Sequence, residues 1–423
     1  MSTAFSWRDG WCYGLMGLPL AFVALPLYVV LPNHYARTFG LPLATLGLVL
    51  VVARLLDAFI DPLLGRWSDR LYARSRRAVL GWAVTAAIVL GGGFAALFFP
   101  WVREPTALII WALLCLMVTY AAYSLLSILH QAWGAKLGGD EVRRSRVVAW
   151  REGFGLVGVV LASISPLVLG LSGSVALFFI ALATGLWAWG LARAPDLVHQ
   201  MPGSVASAVR PTSIWSPFSR PAFRALLAVF VVNGIASAVP ATLILFFVQD
   251  RLQAAPAMEP VFLGTYFACA ALGLPVWLQV VTRLGLARTW GLGMLLSISV
   301  FGFAAQLSAG DTAAFVLVCA LSGVALGTDL ALPGALLAGI IAASSDRGHA
   351  EGAYFGWWNF ATKLNLALAA GIALPALGWL GYVPGARDAQ ALQTLTWAYC
   401  LLPCVLKLVA AGLLYLFLLR KTP

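Results

Sequence analysis

The chain has 423 residues, 61% of them hydrophobic and only 10% charged, with a mean hydropathy of +0.91. A soluble domain carries about 25% charged residues, so this composition excludes an ordinary water-soluble protein and points to one that crosses a membrane many times. The net charge of +11 fits basic loops beside anionic lipid heads and gives no reason to invoke nucleic acid.

A bilayer core about 30 Å thick is crossed by roughly 20 apolar residues in a helix. The first ten residues lack the basic start and small-residue cleavage site of a signal peptide, so the first apolar segment is expected to be retained. Spans are predicted at 11–34, 41–64, 78–101, 106–131, 148–171 and 174–194. The longest polar interruption follows, PDLVHQMPGSVASAVRPTSIWSPFSRP over 195–221, whose Pro, Ser and Gly content reads as a connector. Beyond it come spans at 222–248, 258–281, 285–306, 312–343, 353–381 and 392–419, twelve in all. The tenth and eleventh are long enough to tilt or overhang.

The predicted architecture is an all-α membrane protein: a six-helix bundle over 1–194, a cytoplasmic linker over 195–221 and a second six-helix bundle over 222–423. Two repeated bundles imply a binding site between them near the bilayer midplane. Basic residues set the orientation. Loops on one side hold eighteen Lys and Arg, among them Arg66, Arg70, Arg74, Lys136 and Arg143; the other side holds only Arg37, Arg103, Arg251 and Arg387. Both termini are thus expected in the cytoplasm, in a cell (inner or plasma) membrane. The expected partners are the lipid bilayer and a small-molecule or amphiphilic substrate, and the protein is expected to be a monomer.

Six cysteines are scattered through apolar segments, and only Cys400 and Cys404 stand one helical turn apart; they read as small packing residues. The four histidines share no short motif, so a zinc site has no support. The loop after the second span reads GRWSDRLYARSRR, and the matching loop after the eighth reads TRLGLAR. In the first, Gly65, Asp69 and Arg70 resemble the Gly-x-x-x-Asp-Arg signature of the major facilitator superfamily, a conformational gate loop. The second keeps Arg283, Gly285 and Arg288.

A charged side chain at a helix centre costs about 2.5–3.5 kcal/mol on insertion scales, so few persist without a use. The candidates are Arg54, Asp57 and Asp61 on span two, Arg151 and Glu152 on span five, Asp329 on span ten, Lys363 on span eleven and Lys407 on span twelve. Residues four apart stand about 6 Å apart along a helix axis. Asp57 and Asp61 therefore share a face, with Arg54 on nearly the same stripe. Two carboxylates so close repel, so at least one is expected to hold a proton or share a bound cation. Lys363, with Asn359 four residues before it, is the natural facing charge from the other half. Such a constellation suits ion-coupled transport; the alternative is a static ion-pair cluster that fixes packing. Lys407 is expected to snorkel to the cytoplasmic interface. Asp329 is expected either to line a cavity or to act as a cap beside a helix break at Pro333.

At these residues the chain resembles the glycoside–pentoside–hexuronide:cation symporters. RLLDAFIDPLLGRWSDR is similar to that family's Arg-x-x-Asp-Ala-x-x-Asp-Pro-x-x-Gly, matching at Arg54, Asp57, Ala58, Asp61, Pro62 and Gly65. YFGWWNFATKLNLAL followed by GYVP resembles its span eleven, with Lys363 in place of the family's lysine; Arg151 resembles its span-five arginine and YGLMGLPLAF its opening Tyr-Gly. The resemblance implies a major facilitator fold and symport driven by Na⁺, Li⁺ or H⁺. It implies a cation site at Asp57 and Asp61, charge coupling at Lys363, and no cofactor.

The departures bear on ion and substrate. Where sodium-using sugar members place an Asn and a Thr, this chain has Ile60 and, on an ungapped alignment, Ala121. A sodium ion wants several oxygens and a proton only one carboxylate, which favours proton over sodium. The family's sugar-binding acids are replaced by Leu18, Pro19 and Leu20 on span one and by Ser124 on span four. Tyr13, Tyr123, Ser124, His130, Gln131, Trp357 and Trp358 are candidate cavity residues, with Arg151, Asp329 and Asn359; each Trp reads equally well as an interfacial or packing aromatic. The same branch includes vertebrate lysophospholipid transporters, so an amphiphilic lipid rivals a glycoside. A membrane-embedded enzyme is a remote alternative, because no HExxH, nucleophile motif or Gly-rich phosphate loop occurs.

Overall fold

Every regular element in residues 5–195, 213–383 and 385–420, the residues described by the computed structural model, is helical. Most of the connector predicted over 195–221, residues 196–212, lies outside the described residues. The first span is a broken run: α1 (Trp7–Gly14), α2 (Gly17–Leu25) and α3 (Leu31–Phe39), with a π-helical turn over Pro26–Val30. Pro26 and Pro32 each lack the amide that would continue an α-helical ladder, which is why the run changes pitch there. Next come α4 (Leu43–Arg74), α5 (Arg76–Phe98), α6 (Pro105–Lys136), α7 (Glu141–Val168) and α8 (Gly170–Leu191). The later helices are α9 (Pro221–Phe246), α10 (Glu259–Ala304), α11 (Thr312–Ala342), α12 (Glu351–Trp379), α13 (Ala389–Thr396) and α14 (Leu402–Leu414).

Side-chain caps start several of them. Glu104 accepts from the Ala107 amide with Pro105 in the first turn of α6, and Asp140 accepts from the Arg143 amide at the start of α7. Each satisfies an amide with no partner inside its helix. The echo between the two basic loops has a structural counterpart. Ser75 alone separates α4 from α5, in extended backbone, and its hydroxyl caps α5 at the Ala78 amide. Gly285 alone divides α10, at φ 77° and ψ 172°.

Those angles are open to glycine and closed to residues with a Cβ. Gly285→Ala is therefore expected to cost about 1–3 kcal/mol, read as a lower melting temperature. Gly291→Ala, in the following helical arm with its nearest new contact at 3.5 Å, is the control and should be neutral.

Eight helical runs among the described residues are long and apolar enough to cross a bilayer. One of them, Pro256–Ala304, is a single run of 49 residues that Gly285 divides. Helices α4 and α12, with 32 and 29 residues, match them in length. The tenth-span helix runs unbroken through Pro333, so that proline does not end it. In α4 the usual polarity is inverted. Leu48, Val51, Leu55, Phe59 and Leu63 are exposed, Phe59 at 67%, while Asp61 is 0% exposed. Apolar outside and charged inside is the pattern of a helix whose solvent is lipid.

Contacts divide the chain into two units. The first comprises Met1–Ser219 together with Ala338–Phe360, the second Arg220–Leu337 with Ala361–Pro423. In the first, α2 packs on α7 and α8, α4 on α6, and α5 on α6 and α8. Its apolar centre holds Phe22, Phe94 and Phe178, with Phe94 and Phe178 4.6 Å apart. In the second, α14 packs on α9 and α10. Its core is built on Phe247 stacked against Tyr399 at 4.2 Å, with Phe262 and Phe315 edge-on beside them.

Candidate functional site

In the first unit the α4 carboxylates turn inward. Asp57 is 5% exposed, and the Ser124 hydroxyl on α6 donates to its Oδ1 at 2.9 Å. Asp61 lies one turn further along, before Pro62, whose missing amide leaves the Ala58 carbonyl without its helical donor. The charges of Arg54, Asp57 and Glu152 all act on the Tyr123 phenol. The structure thus brings Arg54, Asp57, Tyr123 and Ser124 together, as residues of α4 and α6. Ser124 supplies one neutral oxygen at Asp57.

Beside them, Arg151 on α7 donates through Nε to Glu152 Oε1 at 2.9 Å and through Nη2 at 2.5 Å. Its charge also reaches Tyr13 and His130. Tyr13 and His130 are mutually bound. The Tyr13 hydroxyl donates to the His130 carbonyl at 3.1 Å, the His130 Nε2 meets the Tyr13 carbonyl at 2.8 Å, and the rings stack at 4.3 Å. With no exposure, His130 is a buried tie between α1 and α6.

Gly65 and Asp69, near the end of α4, form a latch with the start of α12. Asp69 Oδ1 accepts from the Gly352 amide at 2.6 Å and Oδ2 from the Ala353 amide at 3.0 Å. It thereby caps the N-terminus of α12 from the far end of α4, where the helix dipole favours a negative charge. A Cβ on Gly65 would sit 2.2 Å from the Gly352 carbonyl oxygen, so glycine is what lets the two helices touch. Lys136 on α6 pairs with Glu351 at 2.6 Å and donates to the Gly348 carbonyl at 3.0 Å, while the Gly348 amide donates to Glu351. Arg70 is exposed and outside the latch. Asp69 lies beyond the predicted span. Burial, with Glu351 adding to it, pushes its carboxyl up to about 8 against the pull of the two amides and Lys136.

Trp358 is buried and Asn359 half-buried in the part of α12 that belongs to the first unit. Trp357 engages the end of the connector: its indole donates to the Ile214 carbonyl at 2.8 Å, and Trp215 and Phe218 pack on it, each 4.8 Å away. It is an anchor for the segment that enters α9, a packing role for this indole.

In the second unit Lys363 is half-buried on α12. Lys407 overturns its expectation. It is 3% exposed and pairs with Asp329 Oδ2 at 2.9 Å instead of reaching an interface. Asp329 also accepts from Asn233 Nδ2, Trp290 Nε1 and Ser237 Oγ at 2.9, 2.9 and 3.1 Å. It caps no helix break. The sequence reading missed Lys136, Glu351 and the partners of Asp329. One signal for the last was present: Asn233 and Ser237 are polar residues four apart in the middle of a mostly apolar helix. Among the described residues no group of three or more His, Cys, Asp or Glu could hold a metal ion, and all six cysteines are free.

Comparison with known proteins places this geometry. The sequence model of the family described as MFS/sugar transport protein matches residues 12–421. No curated protein matches. Among solved structures, a bacterial homologue of the iron transporter ferroportin in an outward-facing state superposes with a TM-score of 0.72 at 14% identity, covering 97% of this chain and 99% of that one. The E. coli fucose:proton symporter FucP superposes with a TM-score of 0.63 at 16% identity, over 94% of this chain and 98% of that one. At such identities the likeness is one of fold.

Proposed function

The chain belongs to the MFS/sugar transport protein family, and from that premise we propose that it is a cation-coupled symporter moving a small organic solute by alternating access. Membership makes it a multi-pass membrane transporter and not an enzyme. The proposal adds twelve crossings, cytoplasmic termini, a cell (inner or plasma) membrane location and a monomeric state. Within the superfamily it assigns the chain to the glycoside–pentoside–hexuronide:cation branch.

The observation that carries the coupling reading is the burial of two acids, Asp57 and Asp61, one turn apart on a helix whose other face is lipid-like. Formal charge supports it. Arg151 cancels Glu152, and Lys407 cancels Asp329. Of the other charges singled out within the spans, Arg54, Asp57 and Asp61 sum to −1, and Lys363 carries +1. A cation bound at α4 neutralises the first group. That neutralisation is the event that changes the cost of exposing the cluster to one side or the other. Ile60 and Ala121 offer no oxygen from their side chains and Ser124 offers one, so H⁺ suits the site better than Na⁺. Fucose:proton symport by FucP fits the same chemistry.

A second reading keeps the coupling but changes the cargo. The Lys-Asp pair that sugar-using members of that branch carry on span one is replaced by Leu18, Pro19 and Leu20, a change that suits a lysophospholipid or other amphiphile. A thermal-shift screen against sugars, organic acids and lysolipids, run with Na⁺, with Li⁺ and across pH, separates the two. Stabilisation by Na⁺ without any solute would overturn the proton assignment. Lys363→Ala should uncouple transport, because the α4 acids lose the charge that balances them. Solute accumulation with the wild-type pH dependence in that variant would contradict the role given to Lys363.

A further inference from the structure

Every polar atom of the Asp329–Lys407 pair is already used, and we propose that the pair is a positioning element that fixes α9, α10, α11 and α14 as a neutral whole and never carries the coupling cation. Asp329 receives only donors: the Asn233 amide, the Trp290 indole, the Ser237 hydroxyl and the Lys407 ammonium. Lys407 in turn meets only acceptors. Its three ammonium hydrogens are matched by Asp329 Oδ2 at 2.9 Å, Asn233 Oδ1 at 2.9 Å and Ser237 Oγ at 3.1 Å.

Asn233 and Ser237 stand one turn apart on α9, so one helix face serves both charges. Each contributes an acceptor to the lysine and a donor to the aspartate. The two groups are thereby held in one relative position. Trp290 is 0% exposed, and Lys407 and Asn233 are 3% exposed. The charge of Asp329 reaches Tyr266, and that of Lys407 reaches Cys404. A cation entering here would meet an ammonium, and a solute would have to displace partners that already satisfy one another. This differs from the α4 cluster, whose formal charge does not cancel.

The inference therefore assigns Asp329 away from the substrate cavity. It uses the α4 reading only to separate the two roles. Removing one charge of a buried pair strands the other, whereas removing both is commonly tolerated.

The test is the melting temperature of the purified full chain, measured from about pH 5 to 9, for wild type, Asp329→Asn, Lys407→Gln and the double variant. Each single variant should melt roughly 10 °C lower. The double variant should return to within about 3 °C of wild type and keep the wild-type pH profile. Should a single variant fail to fold, the double variant decides. Single variants as stable as wild type would overturn the proposal. So would a double variant no better than the singles, or one whose pH profile is flattened. Asp57→Asn run alongside reports on α4 separately, since a profile lost there leaves the comparison of single and double variants intact.

Discussion

Asp57→Asn and Asp61→Asn are each expected to abolish uphill solute accumulation while leaving the protein folded and able to exchange solute. A pH gradient of one unit is worth about 1.4 kcal/mol, which supports roughly tenfold accumulation for one proton per solute. An asparagine cannot take up that proton, so accumulation should fall to the level of simple equilibration. Folding survives because the amide is close in shape and no longer has a charge to bury. At position 57 the amide oxygen can still accept from Ser124. Uptake into proteoliposomes, using the solute that most stabilises the protein, measures this against counterflow in the same vesicles. Undiminished accumulation in both variants would remove the coupling role from α4.

Asp69→Ala is expected to have the largest effect outside the α4 cluster. It leaves the buried amides of Gly352 and Ala353 without their acceptor, and each unsatisfied buried group costs about 1–3 kcal/mol. Hydrogen exchange at those amides should accelerate at least about tenfold, since 1.4 kcal/mol already gives that factor. Gly65→Leu should produce the same loosening by a different route, because its side chain would meet the Gly352 carbonyl.

The contact should also respond to pH with a defined sign. Burial raises the Asp69 carboxyl from an ordinary 3.8 to about 8, so the closed contact binds a proton more readily than the open one does. Closure is therefore favoured at low pH and lost progressively as pH rises from about 4 through 8. After correction for intrinsic exchange, protection at Gly352 and Ala353 should fall across that window, and Asp69→Ala should abolish the dependence. A slope of opposite sign would show that the pull of the amides and Lys136 outweighs burial.

Much of this arrangement is legible in the sequence where the chemistry is local. Charges at Arg54, Asp57 and Asp61 stand out because an apolar helix has no other reason to hold them. The tight joint after the second helix of each half follows from one short motif, and Ser75 and Gly285 occupy the corresponding breaks. What could not be read depends on pairs remote in the chain. Asp329 finds its partners 96, 92, 78 and 39 residues away, on three other helices. A long aliphatic stem suggested that Lys407 would snorkel to an interface, but that reading is blind to the polar face that α9 presents to it. Lys136 and Glu351 are 215 residues apart, and neither carries a signal alone. Pro333 looked like a break, yet α11 continues through it, as proline-containing helices do in membranes where neighbours compensate for the lost bond.

The central claim is that a cation taken up by the α4 acids travels with the solute. It is tested most directly by recording solute entry and cation movement together in proteoliposomes. With wild-type protein, solute entry should be accompanied by proton entry in a fixed ratio, visible as alkalinisation of the outside medium, and Asp57→Asn should erase the proton signal. Solute movement with no proton or sodium movement, or a proton signal that persists in Asp57→Asn, would contradict it.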